Sequence, residues 1–254
     1  MKKLIAGIGI ATFSTLLSAQ QAFDGFNFQL GLGATQSQIN ASNTNDITVT
    51  PNASINGTTN ATSFNGLTSV GYSQSFNNLF KGFNFAGNLF YVIGNQSGGN
   101  QTNVTNGVSS YDATRSVSET LSGKYKLQNT WGISLEPGYY FSKNILGYLK
   151  FAYVNSKLNS SFSCATSDSV CLISAEPFLR GATSAFSANK TITGIGYGFG
   201  GKYEITKNIY GALDFLYVDY TKSNQNIAWV STESTNAGFK PQQYMGFVSI
   251  GYKF

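Results

Sequence analysis

The sequence predicts an all-β fold, an eight-stranded antiparallel transmembrane β-barrel with short periplasmic turns and four long external loops. Three observations predict it. The chain contains eight runs of alternating apolar and polar residues, the connections between the runs are alternately short and long, and the last run ends on Phe254 without a polar tail. A soluble domain seldom ends on an apolar stripe, because an exposed apolar strand invites aggregation. Lipid removes that penalty.

The amino-terminal residues 1–19 have the three parts of a signal peptide. The segment begins with Met and two lysines, continues with an apolar stretch over 4–17 and ends on two small residues, Ser18 and Ala19. We therefore expect one barrel domain over 20–254. The apolar stretch is too short to cross a membrane as a helix, which needs about 20 apolar residues.

Each predicted strand is a period-2 run bounded by turn residues. In chain order the strands span 25–37, 63–76, 82–96, 127–142, 145–160, 190–206, 208–223 and 239–254. Three connections are tight, namely 77–82, 142–145 and 206–208. The other four are long and rich in Asn, Ser and Thr, namely 38–62, 97–126, 161–189 and 224–238. This alternation is typical of barrels with periplasmic turns and external loops, and an even strand number places both chain ends in the periplasm.

An internal repeat indicates which face each side chain takes. Residues 138–154 align without gaps to residues 202–218, and both segments have the pattern strand, turn, strand. Because side chains alternate between the two faces of a strand, Phe151 points away from Lys150, and the second copy repeats the pattern. The aromatic face is expected against lipid, so the charged residues are expected inside the barrel.

Five charged residues are predicted to face the lumen: Glu136, Lys150, Lys202, Glu204 and Asp214. Single charges in a narrow, low-dielectric interior are costly, so we expect these residues to pair in a hydrogen-bonded network. Two interpretations stay open. The network is a polar plug, since eight strands enclose a space just wide enough for their own side chains, or it is a proton relay or ion path.

Composition argues against several classes of protein. The 16 Lys and Arg residues exceed the 11 Asp and Glu residues only mildly and are spread singly, so no nucleic-acid partner is expected despite a pI of about 9.1. A charged fraction of 11% with 20 Phe, 15 Tyr and 28 Gly suits a barrel that is apolar outside and polar inside. No cofactor is expected.

The two cysteines, Cys164 and Cys171, lie in a Ser-rich segment that is predicted to be external. In an oxidising compartment we expect them to form a disulfide that closes a small loop. A metal site is the weaker interpretation, because two thiols in a chain without His are too few ligands for a closed zinc site.

Two patterns raise the question of catalysis. The Gly-rich segment 194–201 contains a nucleotide-loop pattern, but a dinucleotide site needs a helix after the loop, and alternating aromatic residues continue through this segment as a strand. Its inward glycines instead leave room for bulky lumenal residues such as Tyr148 and Tyr210. Glu136 and Glu204 are candidate paired carboxylates, but a polymer could hardly reach the inner wall. Without a His base, we expect no enzymatic activity.

The carboxy-terminal strand carries a family resemblance. The alternation of Val248, Ile250, Tyr252 and Phe254 resembles the signature by which bacterial outer-membrane barrels are recognised for insertion. The resemblance implies a location in the bacterial outer membrane, with outer-membrane lipid and the barrel assembly machinery as partners.

The hairpins are similar to those of the opacity-type and OmpA-type small barrels of Gram-negative outer membranes. The residues that carry this resemblance are 135–141, 147–153, 196–203 and 213–220. The similarity covers the strands and is absent from the loops, where such families diverge in function. It implies a small barrel at the bacterial surface and leaves the activity open.

The external loops are the remaining candidate for function. Residues 38–62 and 97–114 are rich in Asn, Thr, Ser and Gly. Such polar loops suit adhesion to host or environmental surfaces and equally suit a rim that only stays solvated. We expect a structural or adhesive barrel. A porin-like small-solute channel is the alternative, favoured by the inward glycines and opposed by the strand count. Trp229 and Phe239 are expected at the outer lipid boundary.

Deleting Phe254, or replacing it with a charged residue, should prevent assembly, because the stripe through Val248 and Tyr252 resembles the insertion signal. The truncated chain should remain in the periplasm, aggregated or degraded. The measurement is the amount of heat-modifiable protein in outer-membrane fractions, and a normal amount would contradict the prediction.

Overall fold

The computed structural model describes residues 22–43, 56–76, 81–108, 116–166, 184–230 and 233–254. They form an all-β fold. The strands are β1 Gly25–Asn43, β2 Gly57–Ser75, β3 Phe83–Ile93, β4 Gln96–Val108, β5 Ser116–Ser142, β6 Ile145–Thr166, β7 Ser184–Glu204, β8 Ile209–Tyr220, β9 Ser223–Val230 and β10 Glu233–Lys253. The described residues contain no helix that is long and apolar enough to cross a membrane.

The strands close into an antiparallel ring of eight positions. β1 pairs with β2 on one side and with β10 on the other, so the first and last strands join. Two positions are shared by two strands each. β3 and then β4 pair with successive parts of β5, and β8 and then β9 pair with successive parts of β10. The predicted eight-stranded antiparallel barrel is therefore confirmed.

The outer surface of the ring is an apolar band bounded by aromatic residues. Alternate side chains of β1, namely Phe26, Phe28, Leu30 and Leu32, are exposed although they are apolar. Aromatic residues form a girdle towards the external end: Tyr91, Trp131, Tyr153, Tyr197, Tyr217 and Tyr244. A second girdle lies towards the periplasmic end: Phe26, Tyr72, Tyr139, Phe141, Tyr203, Tyr252 and Phe254. An apolar band between two girdles is the lipid-facing surface of an outer-membrane barrel.

The periplasmic turns are short and hydrogen-bonded. β5 and β6 are separated by two residues only. Between β7 and β8, the backbone N–H of Ile209 donates to the carbonyl of Thr206 at 3.2 Å. The side-chain amide of Asn208 donates to the carbonyl of Lys253 at 2.9 Å, which ties this turn to the last strand.

The strands extend further outwards than the sequence predicted. β1 continues to Asn43, β2 already begins at Gly57, and the predicted loop 97–126 contains all but the first residue of β4 and the first part of β5. Beyond the lipid boundary the outward residues are polar, such as Gln36 and Gln38, while the inward ones stay apolar, such as Ile39. Water contacts the outer face here, so the outward residues are polar. Inward and outward side chains still alternate, but the sequence of these strands resembles that of a loop.

Beyond the membrane the ring separates into two four-stranded sheets. One sheet has the order β9, β10, β1, β2, and the other has the order β4, β5, β6, β7. In the described residues, no backbone ladder joins β2 to β4 or β7 to β9. We call these two boundaries the seams.

Side chains connect the strands across the seams. The hydroxyl of Thr59 donates to the carbonyl of Gly98 at 2.6 Å, and the backbone N–H of Ser97 donates to the hydroxyl of Ser63 at 2.8 Å. Across the second seam, the ammonium of Lys190 donates to the carbonyl of Asn224 at 2.9 Å. The seams start where strand continuity breaks, at Gly94 (φ +107°) in one case and at residues 221–222 in the other.

One bulge in β5 changes which of its side chains point into the barrel. Asn129 has a left-handed backbone (φ +50°), and the register with β6 shifts between Gln128 and Trp131. Below the bulge the even-numbered residues point inwards, such as Thr130, whereas above it the odd-numbered ones do, such as Leu127. A bulge inserts one extra residue and so re-aims every side chain that follows.

Several predictions lie outside the described residues. They are the signal peptide 1–19, the side chain of Trp229, and the disulfide, because Cys171 is not described and only the backbone of Cys164 is. Phe239 is described, and its predicted place at the lipid boundary is wrong. Its side chain is fully buried inside the barrel, since the exterior at that height is water and the interior is apolar.

The depth of the apolar band can be tested by an Arg substitution on one strand face. Leu30→Arg places a charge near the middle of the band and should lower the free energy of unfolding by about 2–4 kcal/mol. Gln38→Arg, on the same face of β1 but beyond the girdle, should cost about 0–1 kcal/mol. The measurement is urea unfolding in lipid vesicles, and equal costs would contradict the assigned boundary.

Candidate functional site

The barrel interior is filled in layers that alternate between apolar and polar side chains. From the periplasmic end, these are an aromatic layer around Phe23, a layer of charged residues around Lys150, an apolar layer around Phe90, a polar layer around Gln243 and an outer apolar layer around Phe239. The order follows from the positions of the inward residues along their strands.

An aromatic lid closes the periplasmic end. The ring of Phe23, which precedes β1, lies 5.8 Å from the ring of Tyr140 and 5.8 Å from that of Tyr210. The backbone N–H of Phe23 also donates to the Tyr140 hydroxyl at 3.2 Å. The lid therefore combines stacked, edge-on and hydrogen-bonded contacts.

Gly200 on β7 leaves the space that Tyr148 occupies. A Cβ atom at position 200 would collide with the Tyr148 ring, which faces it from β6. The inward glycines of 194–201 thus accommodate bulky lumenal side chains, and this segment is part of strand β7 without a helix after it.

Four of the five predicted lumenal charges meet in one cluster. The Lys150 ammonium lies 2.7 Å from Asp214 Oδ1 and 3.1 Å from Glu136 Oε1, and the Lys202 ammonium lies 3.3 Å from Glu136 Oε2. All four side chains are at least nine-tenths buried. Two cations and two anions alternate, so the cluster has no net charge when all four are ionised.

Neutral side chains also donate hydrogen bonds to the carboxylates of the cluster. Tyr148 donates to Asp214 Oδ1 at 2.7 Å, and Gln29 donates to Asp214 Oδ2 at 3.0 Å. Ser134 donates to Glu136 at 3.2 Å. The Lys202 ammonium lies 5.0 Å from the centre of the Tyr148 ring, a cation–π distance. Each carboxylate therefore accepts from a neutral side chain as well as from a lysine.

The cavity beside the cluster is small. It has a volume of about 20 Å³ and is bounded by Lys150 and Asp214 on one side and by apolar side chains such as Phe90 and Met245 on the other. This space suits one water molecule, which requires about 10–15 Å³.

A second polar layer lies above the apolar layer. The Gln243 amide donates to Gln96 at 2.8 Å and to Ser37 at 3.2 Å, and it accepts from the Tyr220 hydroxyl at 3.0 Å. Thr130 donates to the same Gln96 oxygen at 2.8 Å. These bonds join strands on opposite sides of the lumen.

The outermost layer is an aromatic cluster between the two external sheets. Phe239 lies 5.5 Å from Tyr125 and 6.1 Å from Phe162, measured between ring centres. Burial raises the pKa of the Tyr125 phenol above its usual range. Since the cluster packs one sheet against the other, it is the core of the external part of the barrel.

Glu204 lies apart from the charged cluster. It is half-buried at the periplasmic opening, where a cavity of about 1180 Å³ is also lined by Lys143, Lys207, Lys253 and the carboxy-terminal Phe254. The structure thus brings Glu136, Lys150, Lys202 and Asp214 together and leaves Glu204 at the opening. The residues of the predicted insertion signal, Val248, Ile250, Tyr252 and Phe254, are exposed on the lipid-facing side of β10 and directly after it.

Sequence reasoning missed Phe23, the Gln96–Gln243 layer and the outer aromatic cluster. Phe23 precedes the first strand, so no period predicts its position. The other two lie in or near segments rich in Asn, Ser and Thr, although Tyr125 and Leu127 already show inward alternation there. The described residues contain no group of three His, Cys, Asp or Glu side chains placed to hold a metal ion.

A closed antiparallel ring, an apolar exterior between aromatic girdles and a filled interior define a small outer-membrane β-barrel. The protein is located in the bacterial outer membrane. No protein-family model matches the chain, and no curated protein sequence matches it either.

Several solved structures are similar to the chain. Ail, the attachment invasion locus protein of Yersinia pestis, has 13% identity and a TM-score of 0.34, with 91% of this chain and 99% of that chain covered. Neisserial surface protein A has 16% identity and a TM-score of 0.38, with 91% and 98% covered. The outer membrane protein OprG from Pseudomonas aeruginosa has 9% identity and a TM-score of 0.48, with 92% and 99% covered. Similarities at this level do not indicate an activity.

Removing Lys150 should destabilise the barrel strongly. Lys150→Met leaves Asp214 and Glu136 without their shared cation, and breaking a buried ion pair from one side costs about 3–5 kcal/mol. Lys240→Met is the matched control, because Lys240 pairs with Asp219 at 3.4 Å on the exposed surface and such pairs contribute about 0–1 kcal/mol. Urea unfolding in vesicles measures both, and equal effects would contradict a structural role of the cluster.

Proposed function

We propose that the protein is a non-enzymatic surface barrel, related to the opacity-type and OmpA-type barrels, that is structural or adhesive through its external end. The observation that carries the proposal is the lumen filled by successive layers, from the lid at Phe23 to the aromatic cluster at Phe239. A filled interior directs recognition to the rim.

The external end is suited to present a binding surface. Two sheets continue beyond the lipid and are held together by the cluster of Tyr125, Phe162 and Phe239. The connections between their strands therefore start from a rigid base. Loops on a rigid scaffold are where binding residues are most often found.

Catalysis is not part of the proposal. The chain has no His, and the buried carboxylates Glu136 and Asp214 are each paired with a lysine and accept further hydrogen bonds. A general acid or base must lie within hydrogen-bond reach of its substrate, and these buried carboxylates are enclosed by other lumenal side chains. These groups are better suited to packing the lumen.

A small-solute channel is the alternative. Conduction would require displacement of the Phe23 lid and separation of Lys150 from both of its carboxylates. The distances of 2.7 and 3.1 Å within this cluster oppose such a path. The narrow bore of eight strands opposes it as well.

Purified protein in planar lipid bilayers should show no large, steady conductance, because the layers block the lumen. Replacing the connections 44–55 and 109–115 with short turns should leave the barrel folded and abolish binding to host cells or matrix. Heat-modifiability on gels checks folding, and cell and matrix adhesion assays check binding.

The two readouts separate the two functions. A stable conductance that persists after the connections are shortened would overturn the proposal in favour of a channel. Binding that persists after shortening would place recognition on the strands instead. The Gln38→Arg variant, which changes the outer surface but neither connection, is the control for nonspecific loss of binding.

A further inference from the structure

Three lysines form a patch on the outer surface of the external sheet. Lys124 and Lys126 lie on β5 and Lys157 lies on β6, and all three side chains are exposed. Lys126 is paired with Asn159 and Gln128 with Lys157, so Lys126 and Lys157 are diagonal neighbours on adjacent strands. Diagonal neighbours lie about 7–8 Å apart, within reach of long side chains. We call Lys124, Lys126 and Lys157 the basic patch.

No ion pair within the described residues compensates the positive charge of the basic patch. Within the described part of the chain, none of the three lysines has an ion pair or a hydrogen bond to its side chain. Their outward neighbours on β6 and β7, such as Asn159 and Thr191, are neutral. Like charges at this separation repel one another. An anionic partner would remove this repulsion.

The patch lies just outside the external aromatic girdle. Lys157 follows the girdle residue Tyr153 by four residues, and Lys126 precedes the girdle residue Trp131 by five, one of which is the bulged Asn129. Four strand residues span about 13 Å, which corresponds to about 10 Å of height for a tilted strand. This is the depth of lipid headgroups, which flank a hydrocarbon core about 30 Å thick.

The basic patch lies on two adjacent strands of one external sheet. Beyond the girdle, the described residues of β1, β2 and β4 include no charged residue. Other exposed lysines of the external part are Lys190 on β7 and Lys222 between β8 and β9, and the Lys190 ammonium donates to the carbonyl of Asn224. On β10 the outward Lys240 is neutralised in part by Asp219 at 3.4 Å. Lys190 and Lys240 thus each have a partner, whereas the three lysines of the basic patch lie side by side without one in the described residues. Three such lysines on adjacent strands can contact one ligand together.

We propose that the basic patch binds a phosphorylated glycolipid of the outer leaflet, with the three ammonium groups on its phosphates. Lysine binds phosphate as a compact charge with three donors. The exposed Trp131 and Tyr153 lie directly below the patch, at the depth where aromatic side chains meet the membrane interface. The lipid would cover the β5–β6 surface and leave the β1–β2 surface free for other partners.

The test compares the wild type with the triple variant K124Q/K126Q/K157Q. The probe is diphosphorylated lipid A in phosphatidylcholine nanodiscs, with dephosphorylated lipid A as the reference. Retention of the lipid is measured by native mass spectrometry, and the environment of Trp131 by fluorescence. Binding of the diphosphorylated form should weaken about fivefold for each lysine removed. The dephosphorylated form should bind the wild type and the variant equally weakly.

Two further variants keep the outcome specific. K81Q/K143Q/K207Q removes the same charge from the periplasmic turns and should leave binding unchanged. K124R/K126R/K157R retains the charge and should retain most of the binding. The proposal is overturned if the triple Gln variant binds the diphosphorylated lipid as well as the wild type does, or if the periplasmic variant loses as much. Equal or stronger binding of a soluble sulfated polysaccharide to the patch would also overturn it, since the lysines would then serve a soluble partner.

Discussion

Ring closure between β1 and β10 is the interaction on which the other features depend. Their ladder runs from Asn27 opposite Lys253 to Asn43 opposite Ala237, so the first and last strands of the chain satisfy each other. In hydrocarbon an open strand edge would leave backbone N–H and C=O groups unpaired, which only a closed barrel avoids. The last residues of the chain form the periplasmic end of this ladder, so shortening β10 would leave part of β1 unpaired.

Closure with eight strands also dictates the interior. A ring of this size leaves room for side chains and little else, so each layer must be complementary in volume and in charge. Gly200 facing Tyr148 satisfies the volume, and Lys150 between Asp214 and Glu136 satisfies the charge. The two requirements meet in Tyr148, whose ring fills the space over the glycine while its hydroxyl donates to Asp214.

The membrane-embedded half of the fold could be predicted from the sequence. The external half could be predicted only in part. Between the girdles, lipid outside and packed side chains inside force a strict period of two, which places Lys150 and Phe151 on opposite faces. Beyond the lipid the outer residues are polar, so strand and loop have the same composition. Phe239 shows that the sequence pattern extends into the external half. If the alternation of β10 is followed from Phe254 towards the amino terminus, Phe239 is predicted to point inwards. Asn129 shows what was missing, because one left-handed residue shifts the facing of all that follows.

The seams give the external half an independence that the membrane half lacks. Within the lipid, a change in one strand must be matched by both neighbours, since the backbone ladders run around the whole ring. Above it, β2 and β4 meet through contacts such as that of Thr59 with Gly98, and water can replace such bonds. Each external sheet can therefore lengthen, shorten or exchange its tips over evolutionary time while the other keeps its register. The barrel thereby supports two separately evolvable surfaces on a single membrane anchor.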